Sequence, residues 1–448
     1  MLVLKFGGTS VGSVENFRKV ADILSSISED KIVVLSAMSG VTNNLVQLSE
    51  FLNNGLSEKA LEQIDSLHQK YHRVAGELLT TEEEFRKAQV VLDRHNQVLV
   101  SLVGTEFNEK KERLVLAQGE LVSTNLFQLY LEARGDQSAL ISALDFMRID
   151  ANGEPKPEVI RDRLLGVIQN QPKVSTFITQ GFICRDHENE VNNLNRGGSD
   201  YSASLIGAAL EVSQIQIWTD IDGMHNNDPR YVNNTYSVEE LSFDEAAELA
   251  YFGAKILHPQ SIIPAKESNI PVLLKNTFRP EATGTLIHQG AGLKDIRAIA
   301  AKDNITAIKI KSYRMLMAYG FLKNVFEVFE DHQTPIDMIT TSEVAVSLTI
   351  DKTDKLEEIT RGLHNFGSIE VDTDLSIICI AGNISQNKQG ITSAIFNCLR
   401  DVPIRMISYG GSNYNLSFLV KTSDKIVVLN LLNEGLFNKA LQSELYEL

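Results

Sequence analysis

The 448-residue sequence predicts a layered α/β domain followed by two small α+β modules of one type. Three observations carry this. The chain opens as strand, glycine turn, helix, strand. Strand and helix then alternate to about residue 290. Beyond that point one stretch of sequence occurs twice.

Residues 2–6 (LVLKF) form a short apolar strand. Ser13 stands at an N-cap position, and Val14, Phe17, Ala21 and Leu24 follow at helical spacing. The next strand, KIVVLSA (31–37), runs apolar without alternation, which suits a parallel strand covered on both faces. Residues 44–135 read as mostly helical, with few glycines and no proline, and TTEEEFRKAQ (80–89) reads as a solvated helix face. ALISALDF (139–146), STFITQGFI (175–183) and IQIWTDIDG (215–223) read as further buried strands with helices between them.

The repeat sets GFLKNVFEVFEDHQTPIDMIT (320–340) on GITSAIFNCLRDVPIRMIS (390–408). Gly320 matches Gly390 and Phe326 matches Phe396; Pro335, Ile336, Met338 and Ile339 match Pro403, Ile404, Met406 and Ile407. Each copy reads helix, loop, strand, turn, strand, ending in VAVSLTI or YNLSFLV. The glycine-containing stretch TLIHQGAGLKDI (285–296) marks the boundary. The expected division is a domain over 1–290 and a region over 291–448. Within the latter, the first repeat spans about 305–380 and the second about 381–448, completed by a strand near 296–302.

The composition is that of a soluble globular protein, 43% hydrophobic and 22% charged. A net charge of −16 argues against nucleic acid as partner, yet a few local cations can still dominate a cleft for a small anion. No apolar run approaches the ~20 residues of a membrane span, and no basic segment followed by an apolar one suggests a signal peptide. Cys184, Cys379 and Cys398 are odd in number and widely spaced, which predicts reduced, mostly buried thiols in a cytoplasmic protein.

Five stretches could carry chemistry. In KFGGTS, Lys5 precedes Gly7 and Gly8, with Thr9 and Ser10 after them. Glycine amides, a helix start and an ammonium together suit a phosphate, although a plain strand-to-helix turn uses glycine too. The lysine lies before the glycines, so this is not the GxxxxGK[ST] loop. In LNRGGSDYSA (194–203), Arg196 can grip a carboxylate, Ser199 can cap the following helix, and Asp200 can orient a lysine. A capped helix with a surface arginine reads equally from that stretch. WTDIDGMHNNDPR (218–230) fails calcium-loop spacing and reads as a nucleotide-edge loop or a polar turn. YFGAKILHP (251–259) sets Lys255 after a glycine, with His258 read as packing. LAQGELVST (116–124) sets Glu120 among apolar neighbours at an expected helix start, either as a buried acid that wants a cationic partner or as an exposed helix-start glutamate.

Taken in order, these pieces resemble the aspartokinases of the amino-acid-kinase fold family, over essentially the whole chain. The resemblance rests on KFGGTS, LSAMSGVTN (35–43), Gly119-Glu120, TQGF (179–182), RGGSDYSA, WTD with DPR, and FGAKILHP. The repeats resemble paired ACT (ferredoxin-like) regulatory modules, and the length of 448 resembles the monofunctional enzymes. The resemblance implies a three-layer fold with a mainly parallel sheet, and ATP plus L-aspartate giving ADP plus 4-phospho-L-aspartate. It implies Lys5, Asp200 and Lys255 as catalytic. Lys5, Gly7, Gly8, Thr9, Ser10, Thr219, Asp220, His225, Arg230 and Lys255 would bind ATP. Ser36, Thr42, Glu120, Phe182, Arg196 and Ser199 would hold aspartate, with Arg196 on the α-carboxylate and Glu120 on the ammonium. Magnesium is expected on the nucleotide phosphates, with no prosthetic group.

The regulatory half is closest to the lysine-inhibited members. Met315, Ala318, Gly320, Phe321, Leu322, Ile336, Asp337, Ser342 and Glu343 would form the effector site, the two acids facing a lysine ε-ammonium. Three positions depart from the family pattern: Asn195 for glycine, His225 for tyrosine and Ala318 for serine. A homodimer is expected, with a dimer of dimers as the larger assembly. The competing readings are another kinase of the same fold, or a catalytically inactive amino-acid sensor.

Overall fold

The computed structural model describes residues 1–194, 197–253, 257–291, 295–315, 319–385 and 389–437, grouped by contacts into two compact units. The first comprises residues 1–224, 239–243 and 256–291; the second comprises 225–238, 244–255 and 292–448. The stretches 225–238 and 244–255 thus group with the C-terminal residues, a division a single cut near residue 290 does not give.

The first unit opens with β1 (Leu2–Phe6), α1 (Val14–Ser26) and β2 (Lys31–Leu35). Ser13 caps α1, its hydroxyl accepting from the Asn16 amide. Four helices follow: α2 (Val41–Asn53), α3 (Ser57–Leu78), α4 (Glu82–Ser101) and α5 (Glu109–Arg134). Thr81 and Glu84 form a reciprocal capping box at the start of α4, which explains the acid-rich 80–89 stretch. Next come β3 (Ser138–Leu140), α6 (Ala143–Phe146), α7 (Pro157–Gln169), β4 (Thr176–Gln180), β5 (Ile183–Arg185) and β6 (Val191–Asn193). The unit continues with α8 (Gly198–Leu210), β7 (Gln214–Thr219) and β8 (Glu240–Leu241). After α9 (Phe243–Tyr251), whose first residue alone belongs here, it closes with α10 (Ile263–Glu267), β9 (Val272–Asn276) and β10 (Thr285–Ile287).

The expected strand over 139–146 ends at Leu140 and becomes a helical turn. The Gln180 side-chain carbonyl accepts from the Ala143 amide at 2.8 Å and anchors that turn. A short apolar run cannot by itself separate buried strand from buried helix.

Eight strands form one sheet in the order β3-β4-β2-β1-β7-β9-β10-β8. Its neighbours are parallel except for the antiparallel β9–β10 pair. Successive residues of β1 face opposite sides. Leu2, Leu4 and Phe6 enter a core with Phe17 of α1, Leu45 of α2 and Phe127 of α5. Val3 and Lys5 face the other side, and α8 packs on β1, β2 and β7.

The second unit carries a six-stranded antiparallel sheet ordered β12-β13-β11-β14-β16-β15. It runs β11 (Ala298–Lys311), α11 (Phe321–Asp331), β12 (Met338–Thr341), β13 (Ala345–Ile350), α12 (Leu356–Leu363) and β14 (Ser368–Ala381), and ends with α13 (Ile391–Asn397), β15 (Met406–Tyr409), β16 (Asn415–Lys421) and α14 (Lys425–Phe437). Both β11 and β14 are 14 residues long and pair along their length, with register shifts near Ile305. One half of each serves one module. Residues 306–311 of β11 pair with β13, and residues 375–381 of β14 pair with β16. The start of β11, from Ala298, pairs with the end of β14. Two cores result, one built on Ile308, Val325 and Leu348, the other on Ile378, Ile395 and Phe418.

The repeat is physical as well as textual. Gly320 (φ 79°) and Gly390 (φ 86°) both cap the first helix of a module in the left-handed region, and Met338 and Met406 both open a strand. Cys184 and Cys379 are buried free thiols, and Cys398 is half-buried. Among the described residues no helix is long and apolar enough to cross a membrane.

Alanine at Gly320 or Gly390 has free space but the wrong φ, so each substitution should cost about 1 kcal/mol. Gly166, inside α7 with ordinary φ and free space, should instead gain up to about 1 kcal/mol on substitution by alanine. Urea unfolding midpoints of the three variants check the opposite signs.

Candidate active site

Of the predicted residues in the first unit, Lys5, Gly7, Gly8, Ser36, Phe182, Ser199 and Asp200 gather near the C-terminal ends of β1, β2 and β4. Lys5, on the α8 side of the sheet, places its Nζ 2.6 Å from Asp200 Oδ1 in the first turn of α8, with both side chains largely buried. The Gly7-Gly8 turn follows. A Cβ on Gly8 would stand 3.0 Å from the Ala37 carbonyl, so glycine lets this turn close against the end of β2.

The two glycine amides are not equivalent. Gly7 N–H donates to the Trp218 carbonyl at 3.2 Å, which corrects the expectation that both point at a ligand. Gly8 N–H has no partner among the described residues. Ser10 also turns inward: it is fully buried, 2.7 Å from the Thr277 hydroxyl, while Thr9 is exposed.

Ser36 Oγ donates to Ser199 Oγ at 2.9 Å, and Ser123 Oγ of α5 donates to the Ser36 carbonyl at 2.8 Å. Ser199 does not cap α8. Gly197, in the left-handed region with φ 60°, takes that position, and Ser199 lies in the first turn. A Cβ on Gly197 would meet the Ser261 side chain at 2.7 Å, so the entry to α8 has no room for a side chain. Phe182 adopts φ 66°, rare for a bulky residue, and its amide donates to Ser202 Oγ at 2.8 Å. Gly181 before it lies flat on Ser199, where a Cβ would meet Ser199 Cβ and Oγ at 2.3 Å.

Glu120 sits in the middle of α5 rather than at a helix start. It is 5% exposed, and burial pushes its carboxyl up to about 7. The Ala37 backbone and the charge of Lys5 pull the other way. A buried acid poised this way holds a cation more readily than it holds nothing. Its neighbour Gly119 is required by packing, since a Cβ there would stand 2.8 Å from that of Ala37.

Other expected residues are placed differently. Thr42 lies exposed in the first turn of α2. Thr219 ends β7 and donates to Asp220 at 3.1 Å. His225 and Arg230 belong to the second unit, where Thr235 lies 3.0 Å from His225 and Arg230 is clasped by Asp228 at 2.6–3.1 Å. His258 is exposed and accepts from the Gln260 amide, so it caps a short 3-10 turn instead of packing as expected. Asn195, Arg196, Lys255 and Ala318 lie outside the described residues.

In the second unit, Met315, Phe321, Leu322 and Ile336 pack together on the first module's core. Gly320 caps α11, and Ser342 and Glu343 lie exposed in the turn after β12. Asp337 is occupied. Lys302 Nζ lies 2.6 Å from it and Tyr251 Oη donates to it at 2.8 Å, while Lys302 also reaches Asp351 at 2.9 Å.

Sequence reading missed Ser123, Ser202, Thr277 and Lys302, all of which position residues it found. Mid-helix serines and a strand lysine carry no motif, so only the folded contacts reveal them.

The mainly parallel sheet ends on Lys5 and two glycines beside a buried acid, and over this part of the chain, residues 1–276, the amino acid kinase family profile matches. An ACT domain profile matches residues 378–436. The chain belongs to the aspartokinases. The lysine-sensitive aspartokinase 3 of Escherichia coli K12 is 35% identical over 98% of this chain and 99% of its own. The chloroplastic aspartokinase 1 of Arabidopsis thaliana is 33% identical over 99% of this chain and 81% of its own. The crystal structure of E. coli aspartokinase III with aspartate and ADP covers 98% of this chain, with all of its own chain covered, at 34% identity and a TM-score of 0.82. The T-state structure of that enzyme with lysine and aspartate gives a TM-score of 0.83 at the same identity and coverage.

Gly181→Ala should displace Ser199 or the Phe182 backbone and lower kcat/KM for aspartate by about a hundredfold, with far-UV circular dichroism unchanged. Steady-state ADP release measures it.

Proposed function

We propose that this aspartokinase transfers the γ-phosphoryl group of ATP to the side-chain carboxylate of L-aspartate, with residues 1–290 performing the catalysis and 291–448 regulating it. The observation that carries the reading is the Lys5–Asp200 pair beside buried Glu120 at one end of the sheet.

The attacking carboxylate is already an anion, so no general base is needed. The site has to align two negatively charged reactants and neutralise the charge on the moving phosphoryl group. Lys5 supplies a cation there, Asp200 fixes its direction, and the open amide of Gly8 adds a donor. Thr219 and Asp220, at the end of β7, serve the nucleotide. Arg196 holds the α-carboxylate and Glu120 the ammonium, with Ser36, Thr42, Phe182 and Ser199 around them. ATP enters as its magnesium complex. Asp200 is engaged by Lys5, which suits an ion carried by phosphates and water rather than by a protein cage.

For regulation, L-lysine is the proposed inhibitor. Met315, Phe321, Leu322 and Ile336 offer an apolar wall for its stem. Asp337 is shared with Lys302, so an incoming ammonium competes with the chain's own, and Glu343 is the open acid. The molecule is proposed to act as a homodimer.

Glu120 binds an ammonium only as carboxylate. Because its free-state pKa is raised to about 7, KM for aspartate should climb as pH falls through 7, approaching about tenfold per unit below it. Glu120→Gln should raise KM and flatten that profile. A flat wild-type profile between pH 8 and 6, or preference for glutamate over aspartate as substrate, would overturn the assignment.

Inhibition by lysine but not threonine is expected, and Glu343→Ala should raise the half-inhibitory lysine concentration at least about tenfold, the loss expected of a hydrogen bond to a charged group. Undiminished inhibition in that variant would remove the effector assignment.

A further inference from the structure

We propose that His68, His72 and Asp93 form a site for a borderline divalent transition-metal ion such as Zn²⁺ or Ni²⁺, clamping α3 to α4. His68 and His72 stand four residues apart on α3, so both imidazoles project from one helix face. Asp93 faces them from α4. His68 Nε2 lies 3.4 Å and His72 Nε2 4.0 Å from the same oxygen, Asp93 Oδ1. One ligating atom from each of the three lies within 4.8 Å of the others. Bonds of ~2.0–2.1 Å in a tetrahedral shell put ligand atoms about 3.3 Å apart, so a small rotation of the exposed Asp93 side chain closes the set.

Three features favour a metal over a plain ion pair. Neither imidazole makes a hydrogen bond among the described residues, so both keep a free ring nitrogen. Asp93 has no lysine or arginine partner among the described residues, although the surface of this unit is rich in such pairs. The rings are also held in place: they meet edge to face at 4.4 Å, and Phe85 of α4 packs on the edge of His72 at 6.1 Å. Burial and the neighbouring imidazole lower the His68 pKa, which favours the neutral, ligating form. Two nitrogens and one carboxylate oxygen suit Zn²⁺, Ni²⁺ or Cu²⁺ rather than Mg²⁺ or Ca²⁺, and leave one position for water. The site lies on the α3–α4 pair, and the proposal does not rest on the kinase reading.

The test uses the tag-free full chain stripped with EDTA. Calorimetric titration with Zn²⁺ and Ni²⁺ should show one ion per chain. Each of His68→Ala, His72→Ala and Asp93→Ala should weaken binding more than about tenfold while keeping the circular dichroism spectrum and kinase activity of the wild type. Cu²⁺-loaded protein should show coupling to two nitrogens in its electron paramagnetic resonance spectrum, reduced to one in His72→Ala. The ion should raise the unfolding temperature of the wild type only. Absence of binding, or binding unchanged in His72→Ala or Asp93→Ala, would overturn the proposal.

Discussion

The structure of the first unit turns on one charged contact, Lys5 with Asp200 at 2.6 Å. It follows from strand geometry. Three side chains of β1 face the apolar core, and the intervening ones face α8. A lysine placed among them has nowhere to go except along α8, where an acid in the first turn meets it. Gly197 and Gly181 let α8 begin at that height, because neither position has room for a Cβ. The glycines, the ion pair and the Ser36–Ser199 contact are consequences of one close approach between strand ends and a helix start.

That approach also explains what the sequence reveals and what it hides. Lys5, Gly7 and Gly8 are legible because a cation, a glycine turn and a helix start adjoin in the chain. The twin modules are legible because a left-handed cap needs glycine at 320 and 390, and the strand after each module's first helix opens on a buried methionine. Glu120 is harder. Gly119 resembles a helix boundary, but it is glycine because Ala37 lies against it, in mid-helix. Ser10 looks like a phosphate ligand in the string and is spent on Thr277 in space. Local pattern cannot tell a hydroxyl that faces a ligand from one that ties two loops.

The second unit shows the same limit from another side. The DPR loop reads as a nucleotide edge, yet its neighbours dock inside the second unit: Asn227 donates to the Leu429 carbonyl of α14 at 3.0 Å, and Val232 joins the second module's core. Asp337 reads as an open acid and is instead held by Lys302 and Tyr251. Both partners are distant in sequence and carry no motif. A cation that reaches Asp337 has to compete with the ammonium of Lys302, already paired there.

The central claim is that Lys5 and Asp200 act as one element in catalysis. A double-mutant cycle on kcat/KM for ATP, with Lys5→Met, Asp200→Asn and the pair, tests it most directly. The account predicts strong non-additivity, the double variant being little worse than Lys5→Met alone. Additive losses would show that the two residues act independently and would contradict it.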